Sequence, residues 1–306
     1  MDEYYLIKSK YLDNKNILRN IYYYLSITKE DNDTYTINAG NPKKTSCLTI
    51  IITNNKKTAI LNNVSFKTGK CALLFDDYKK GSIKNLVKCS LMFCCKKFPF
   101  ITKFILTDNS TIDCGIIEIS LADLEYIKYG KTWYEKYFGA KSLYKNTINK
   151  IKEELENIKN KNLNQSLIKD AKKYYDIYYT KNNVNKLIDV LKEYYNKNLT
   201  YGEYINILNN NDYDCSIYCY IFNKIFEKKL YGEEWYIKTN LVKNYSNDTI
   251  YTYKKIQKIK KNSNIEKYNN IVNKLDISKY KNMMQNGSVK IYGKRDLKKS
   301  TAKNIY

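Results

Sequence analysis

The chain contains no histidine. That removes the commonest general base and the commonest metal ligand, and with them every Ser-His-Asp or Cys-His hydrolase and every His-ligated zinc site. Any catalysis must come from Asp, Glu, Tyr, Cys, Lys or the backbone. Proline (2) and glycine (10) are scarce among the 306 residues, which argues against Pro-rich linkers and a loop-rich enzyme. Arginine occurs only at Arg19 and Arg295, so bidentate forks for phosphate or base edges are nearly absent. No apolar run reaches the length of a membrane span, and the acidic, polar start Met-Asp-Glu-Tyr-Tyr gives no expectation of a secretory signal.

What is present is lysine, asparagine, isoleucine and 33 tyrosines. All four residue types have AT-rich codons, so genome bias accounts for part of the composition. The net charge of +23 favours polyanions, nucleic acid or an acidic protein partner. Because lysine supplies it, the attraction suits phosphate charge more than sequence reading. Eight cysteines occur, at 47, 71, 89, 94, 95, 114, 215 and 219. The closest pairs are Cys94-Cys95 and Cys215-x3-Cys219, and an all-cysteine zinc site needs two convincing C-x2-4-C pairs. The expectation is buried reduced thiols, no metal, and a reducing intracellular compartment.

The densest run of structural signals lies between Phe98 and Ala140. Phe100 to Leu106 reads as a buried strand ended by Thr-Asp-Asn-Ser. Ser120 three residues before Asp123 predicts a capped helix start, with Leu121, Leu124 and Ile127 on one face and Gly130 as left-handed cap. Upstream, Asn16 to Leu25 predicts a short helix. Thr34 to Ile37, Cys47 to Thr53 and Thr58 to Phe66 read as strands, the last two as a hairpin, and Cys71 to Phe75 as a further strand. Ile83, Leu86, Val87, Leu91 and Cys94 mark one face of a helix stopped by Pro99, with Lys84 and Lys88 off that face. A helix between apolar strands predicts a βαβ crossover.

From about residue 143 to 252 the periodicity is helical: Ile148, Ile151, Leu155 and Ile158, then Leu167, Ala171 and Tyr174, a stripe from Val184 to Tyr195, a capping box Thr200-Tyr-Gly-Glu203, and a face made by Tyr218, Ile221, Phe222, Ile225 and Phe226 after a candidate cap at Asp214. Tyr231-Gly-Glu-Glu-Trp235 echoes Tyr129-Gly-Lys-Thr-Trp133, through helix-end glycine chemistry or an internal repeat. Residues 253–306 form a basic, partly flexible tail, either a solvated end or an arm for nucleic acid. The expected organisation is an α/β domain at 1–142, a helical region at 143–252 and this tail.

Three segments carry a resemblance. Phe75-Asp-Asp-Tyr-Lys-Lys-Gly-Ser-Ile-Lys stands where a phosphate loop opens a helix. Phe104-Ile-Leu-Thr-Asp-Asn109 is a strand ending at an Asn, and Tyr134-Glu-Lys-Tyr-Phe-Gly139 is a Tyr-containing segment closing on Phe-Gly. Together they resemble the core of the GNAT N-acetyltransferase superfamily. The resemblance implies an α/β mixed sheet with flanking helices, acetyl-CoA as cofactor held near Lys80, Gly81, Ser82 and Asn109, and Tyr134 as the acid that protonates the leaving thiolate. Only Gly81 of the phosphate-loop pattern is kept; Tyr78 replaces Gln or Arg and Ile83 replaces Gly or Ala. A non-catalytic relative is therefore as consistent with the residues as an acetyltransferase. Composition and helical extension also resemble proteins of large AT-rich DNA viruses. Each candidate has a structural alternative: Tyr134 and Trp133 as core aromatics, and Glu118 and Asp123 as capping or solvated acids rather than bases.

Overall fold

The computed structural model describes residues 2–12, 18–30, 33–40, 47–54, 56–64, 82–114, 117–178, 188–190, 192–193, 195–210, 215, 218–247 and 250–256. The architecture is α/β, with a mixed sheet and flanking helices. The chain divides into two compact units. One holds the described residues up to Leu106 and those from Tyr236; the other is Thr107–Trp235.

In the first unit the strands are β1 (Glu3–Leu12), β2 (Leu18–Lys29), β3 (Thr34–Gly40), β4 (Leu48–Thr53), β5 (Thr58–Val64) and β6 (Lys103–Thr107). Three short strands of the second unit follow in sequence: β7 (Thr111–Asp113), β8 (Glu118–Ser120) and β9 (Lys141–Ser142). The chain then returns through β10 (Glu234–Lys238) and β11 (Ile250–Ile256). The spatial order in the first unit is β11-β1-β2-β3-β4-β5-β6-β10. β1 to β5 are antiparallel neighbours, and β11 joins the outer side of β1 with Tyr4 opposite Ile256. β5 and β6 run parallel, Thr58 beside Lys103 and Leu61 beside Leu106. A parallel pair needs a crossover, and the helix Ser82–Lys97 lies between the two strands in sequence.

Burial explains the strands. β4 alternates, with Leu48, Ile50 and Ile52 buried and the residues between half-buried, as a strand covered on one face should. In β1, Tyr5, Leu6 and Ile7 are all buried, so both faces are covered. The helix Ser82–Lys97 packs its aromatic side onto this sheet. Phe93 meets Tyr5 at 4.9 Å and Tyr253 at 5.1 Å, both edge-on, a favoured aromatic geometry.

Several expectations are corrected. Asn16 to Leu25 does not form a helix; its described part belongs to β2, which pairs with β1 from Glu3↔Ile27 to Leu12↔Leu18. Tyr23, Tyr24 and Leu25 are all buried, and a strand covered on both faces loses the alternation that would reveal it. Lys88 is buried rather than off the apolar face; its Nζ lies 5.1 Å from the Tyr245 ring centre. The helical periodicity holds over Lys145–Lys159, Gln165–Tyr178, Tyr201–Asn210 and Cys219–Phe226, then gives way to strand at β10 and β11. Thiol chemistry also differs. Cys114 and Cys215 form a disulfide, and Cys47 is disulfide-bonded, whereas Cys89, Cys94, Cys95 and Cys219 carry thiols. The inference from reduced cysteines to a reducing compartment therefore lapses. The Cys71–Phe75 strand, the Asp214 cap and residues 257–306 lie outside the described residues, as does the Val184–Tyr195 stripe apart from positions such as buried Ile188 and Val190.

Local signals hold in detail. Ser120 accepts from the Asp123 N–H at 3.2 Å, and Gly130 closes that helix (Leu121–Tyr129) at φ 67°. Thr200 and Glu203 bond reciprocally as a capping box. Among the described residues, no helix is long and apolar enough to cross a membrane.

Candidate functional site

Of the residues implied by the acetyltransferase resemblance, Lys80 and Gly81 lie outside the described residues. Ser82 is the first residue of its helix in the first unit. Asn109 is exposed, two residues past the end of β6. Tyr134 sits in the helix Trp133–Phe138, which Thr132 and Glu135 start with a capping box and Gly139 ends at φ 64°. The residue is 6% exposed, and its ring packs against Trp133 and Phe138. Burial, and secondarily the charge of Asp108, pushes its phenol well above the usual range.

The second unit thus places Tyr134 near the residue that precedes Asn109. Asp108 is fixed by its backbone: its N–H donates to the Glu233 carbonyl at 2.9 Å, and its carbonyl accepts from the Gly232 N–H at 2.9 Å. Gly232 has φ +83°, and a Cβ there would meet Asn109 Oδ1 at 3.8 Å. Left-handed backbone at this turn is what asks for glycine. Asp108 Oδ1 accepts from the Ser110 N–H at 3.2 Å and from the Ser110 hydroxyl, closing an Asx turn. Asp123 reaches the other side of the same turn, its Oδ1 accepting from the Leu230 N–H at 2.8 Å.

The second oxygen of each carboxyl, Oδ2, is buried without a partner. Burial pushes Asp108 up to about 6, against the lowering effect of its two Ser110 bonds. Burial does the same for Asp123, with Leu230 and Ser120 opposing and the Asp108 charge adding to the rise. Burial raises both acids, and through Asp123 Oδ1 and the Asp108 backbone they clamp the turn that leads into β10. In the sequence Asp108 stands in a strand terminator and Asp123 in a helix cap. The Asp-x-Ser spacing after a strand was the available signal for the first.

The same unit contains an open cleft of about 370 Å³, lined by Ile117, Tyr174, Tyr220, Asn223, Lys224 and Glu227. Tyr174 and Tyr220 stack with centres 4.6 Å apart and planes 28° apart. Asn223 donates through Nδ2 to the Glu118 carbonyl at 3.1 Å, while its Oδ1 is buried and accepts nothing. The Cys114–Cys215 disulfide, spanning 101 residues, ties the segment before Ile117 to the segment before the helix Cys219–Phe226. None of these cleft residues stood out in the sequence except as helix-face positions.

Comparison with protein-family models, curated proteins and solved structures finds no match.

Proposed function

We propose that the protein binds nucleic acid as a polyanion, through lysine, without catalysing a reaction. The observation that carries this is the charge: +23 over 306 residues, nearly all lysine. Exposed lysines occur in both units, for example Lys56, Lys57, Lys96 and Lys254 in the first and Lys145, Lys150, Lys169, Lys172 and Lys173 in the second. Residues 257–306 add thirteen Lys or Arg against three Asp or Glu. Lysine ammonium groups displace phosphate counterions without reading bases. The burial of Tyr134 fits a core aromatic in this reading.

The test is binding of labelled DNA across a salt series. A steep linear fall of log affinity with log salt is expected, and deleting 286–306 should flatten the slope. Salt-independent binding, or none at low salt, overturns the reading.

A second reading is an acetyltransferase-like acetyl-CoA binder, favoured by the parallel β5–β6 pair with the helix Ser82–Lys97 between them in sequence. Backbone amides at the start of that helix would hold the pyrophosphate; the roles of Lys80, Gly81, Ser82, Asn109 and Tyr134 stay those the resemblance implies. Calorimetric titration separates the two readings. Saturable binding of acetyl-CoA but not ATP supports this one, and equal or absent binding removes it.

A further inference from the structure

The stacked pair Tyr174–Tyr220 opens onto a cleft whose polar groups have complementary character. Lys224, one turn along the same helix, holds its Nζ 6.0 Å from the Tyr220 ring centre. It offers the positive charge a phosphate wants. Asn223 has committed its donor to the Glu118 carbonyl and keeps a buried acceptor, Oδ1. Glu227 adds a carboxylate at the rim. Two hydrogen-bond acceptors near an aromatic face match an exocyclic amino group on a flat ring better than a thymine edge, whose single N3–H lies between two carbonyls. A volume of about 370 Å³ falls at the lower end of small-ligand sites, roughly 300–1,000 Å³. Sequence-tolerant single-strand binders combine these parts, an aromatic stacking platform and a neighbouring cation.

We propose that this cleft is a subsite for one base of a single-stranded nucleic acid. The base extends the Tyr174–Tyr220 stack, its exocyclic amino group donates to Asn223 Oδ1 and the Glu227 carboxylate, and Lys224 meets the adjoining phosphate. The proposal rests on the polyanion reading above, to which it adds strandedness and a preference: amino-bearing cytosine over thymine.

The experiment is fluorescence anisotropy of end-labelled oligo(dC), oligo(dT) and a mixed duplex with the full chain over a salt series. Oligo(dC) should bind about tenfold tighter than oligo(dT), and the duplex should gain nothing from the cleft. Tyr220→Leu should weaken oligo(dC) roughly tenfold or more, while Tyr220→Phe should leave it nearly unchanged. Lys224→Gln should lower the salt slope on single strands by about 0.7.

Equal affinity for oligo(dC) and oligo(dT), with no effect of Tyr220→Leu, overturns the subsite and leaves the polyanion reading standing. Absence of binding to every oligonucleotide at low salt overturns both. If Tyr220→Leu fails to fold, as a thermal melt would show, the oligo(dC)/oligo(dT) ratio and the Lys224→Gln slope decide, since Lys224 is an exposed helix residue.

Discussion

The two units use the same chemical group in opposite ways. In the first, Glu3 opens β1 between Lys255 at 2.7 Å and Lys97 at 2.8 Å. Hydrogen bonds from these lysines, Lys255 foremost, draw its carboxyl from 4.5 down to about 2. In the second, Asp108 and Asp123 are buried, and desolvation lifts them from 3.8 to about 6. A carboxylate on the rim of a sheet is held ionised by partners it shares with water. A carboxylate beneath a turn resists ionisation and fixes the backbone instead. Strand pairing dominates the first unit, whereas the second combines the Cys114–Cys215 bridge with buried polar bonds.

The largest expected break in this comparison is the staple. Replacing Cys114 and Cys215 with Ser opens a loop of 101 residues, worth about 4–5 kcal/mol in the chain-entropy account. Trp133 and Trp235 both fall within Thr107–Trp235, Trp235 in β10, so tryptophan fluorescence follows mainly the second unit. Its melting midpoint should drop by many degrees in the double variant and under dithiothreitol. An unchanged fluorescence midpoint would mean that the disulfide carries no stability.

The buried acids come next. With folded values near 6 against 3.8, the folded chain binds more protons than the unfolded chain between those limits. Their contribution is therefore complete below about pH 4 and is lost as pH rises through 6. A rise of that size corresponds to about 3 kcal/mol for one carboxyl, and to less than twice that for two that interact. The fluorescence midpoint should be higher at pH 5 than at pH 8. Asp123→Asn keeps the acceptor for Leu230, so it should raise the pH 8 midpoint and narrow the gap. A gap as wide as before would refute burial as the cause.

Glu3 behaves with the opposite sign. Its contribution is present above about 4.5 and disappears as pH falls through 2. Exposure limits it to about 1 kcal/mol or less, so Glu3→Gln should lower a circular-dichroism midpoint slightly at pH 7 and leave the tryptophan signal alone. Of similar size is Lys228→Gly. Glu227 and Lys228 both take φ 53°, a left-handed conformation costly for residues with a Cβ. Glycine at 228 should stabilise by about 1 kcal/mol after its own entropy cost, read as a small rise in the fluorescence midpoint.

What the sequence discloses follows the range of each interaction. Caps at Ser120, Gly130 and Thr200 involve residues three or four apart, and they are legible because the chemistry is local. The β4–β5 hairpin is legible because Thr49 to Thr53 is an unbroken β-branched run followed by a return strand. β2 is opaque because burial on both faces removes the period. Lys88 appears solvated from its helix alone; Tyr245, far along the chain, supplies the ring its ammonium faces. Asp108 and Asp123 look like a turn and a cap until the Leu230–Glu233 turn, more than a hundred residues later, covers them. The echo between Tyr129–Trp133 and Tyr231–Trp235 is confined to the glycines, both left-handed. Trp133 opens a helix, whereas Trp235 is buried in a strand.

The pairing of β11 with β1 has a consequence for synthesis. β1 spans Glu3–Leu12, and its outer neighbour is Ile250–Ile256. On a ribosome extending the chain by about 5–20 residues per second, β1 therefore waits some tens of seconds with one row of amides and carbonyls uncovered. An uncovered strand edge recruits other strands. The nascent protein is most open to mispairing during that interval, and a chaperone or an early partner would act there, before Ile250–Ile256 arrives to cover β1.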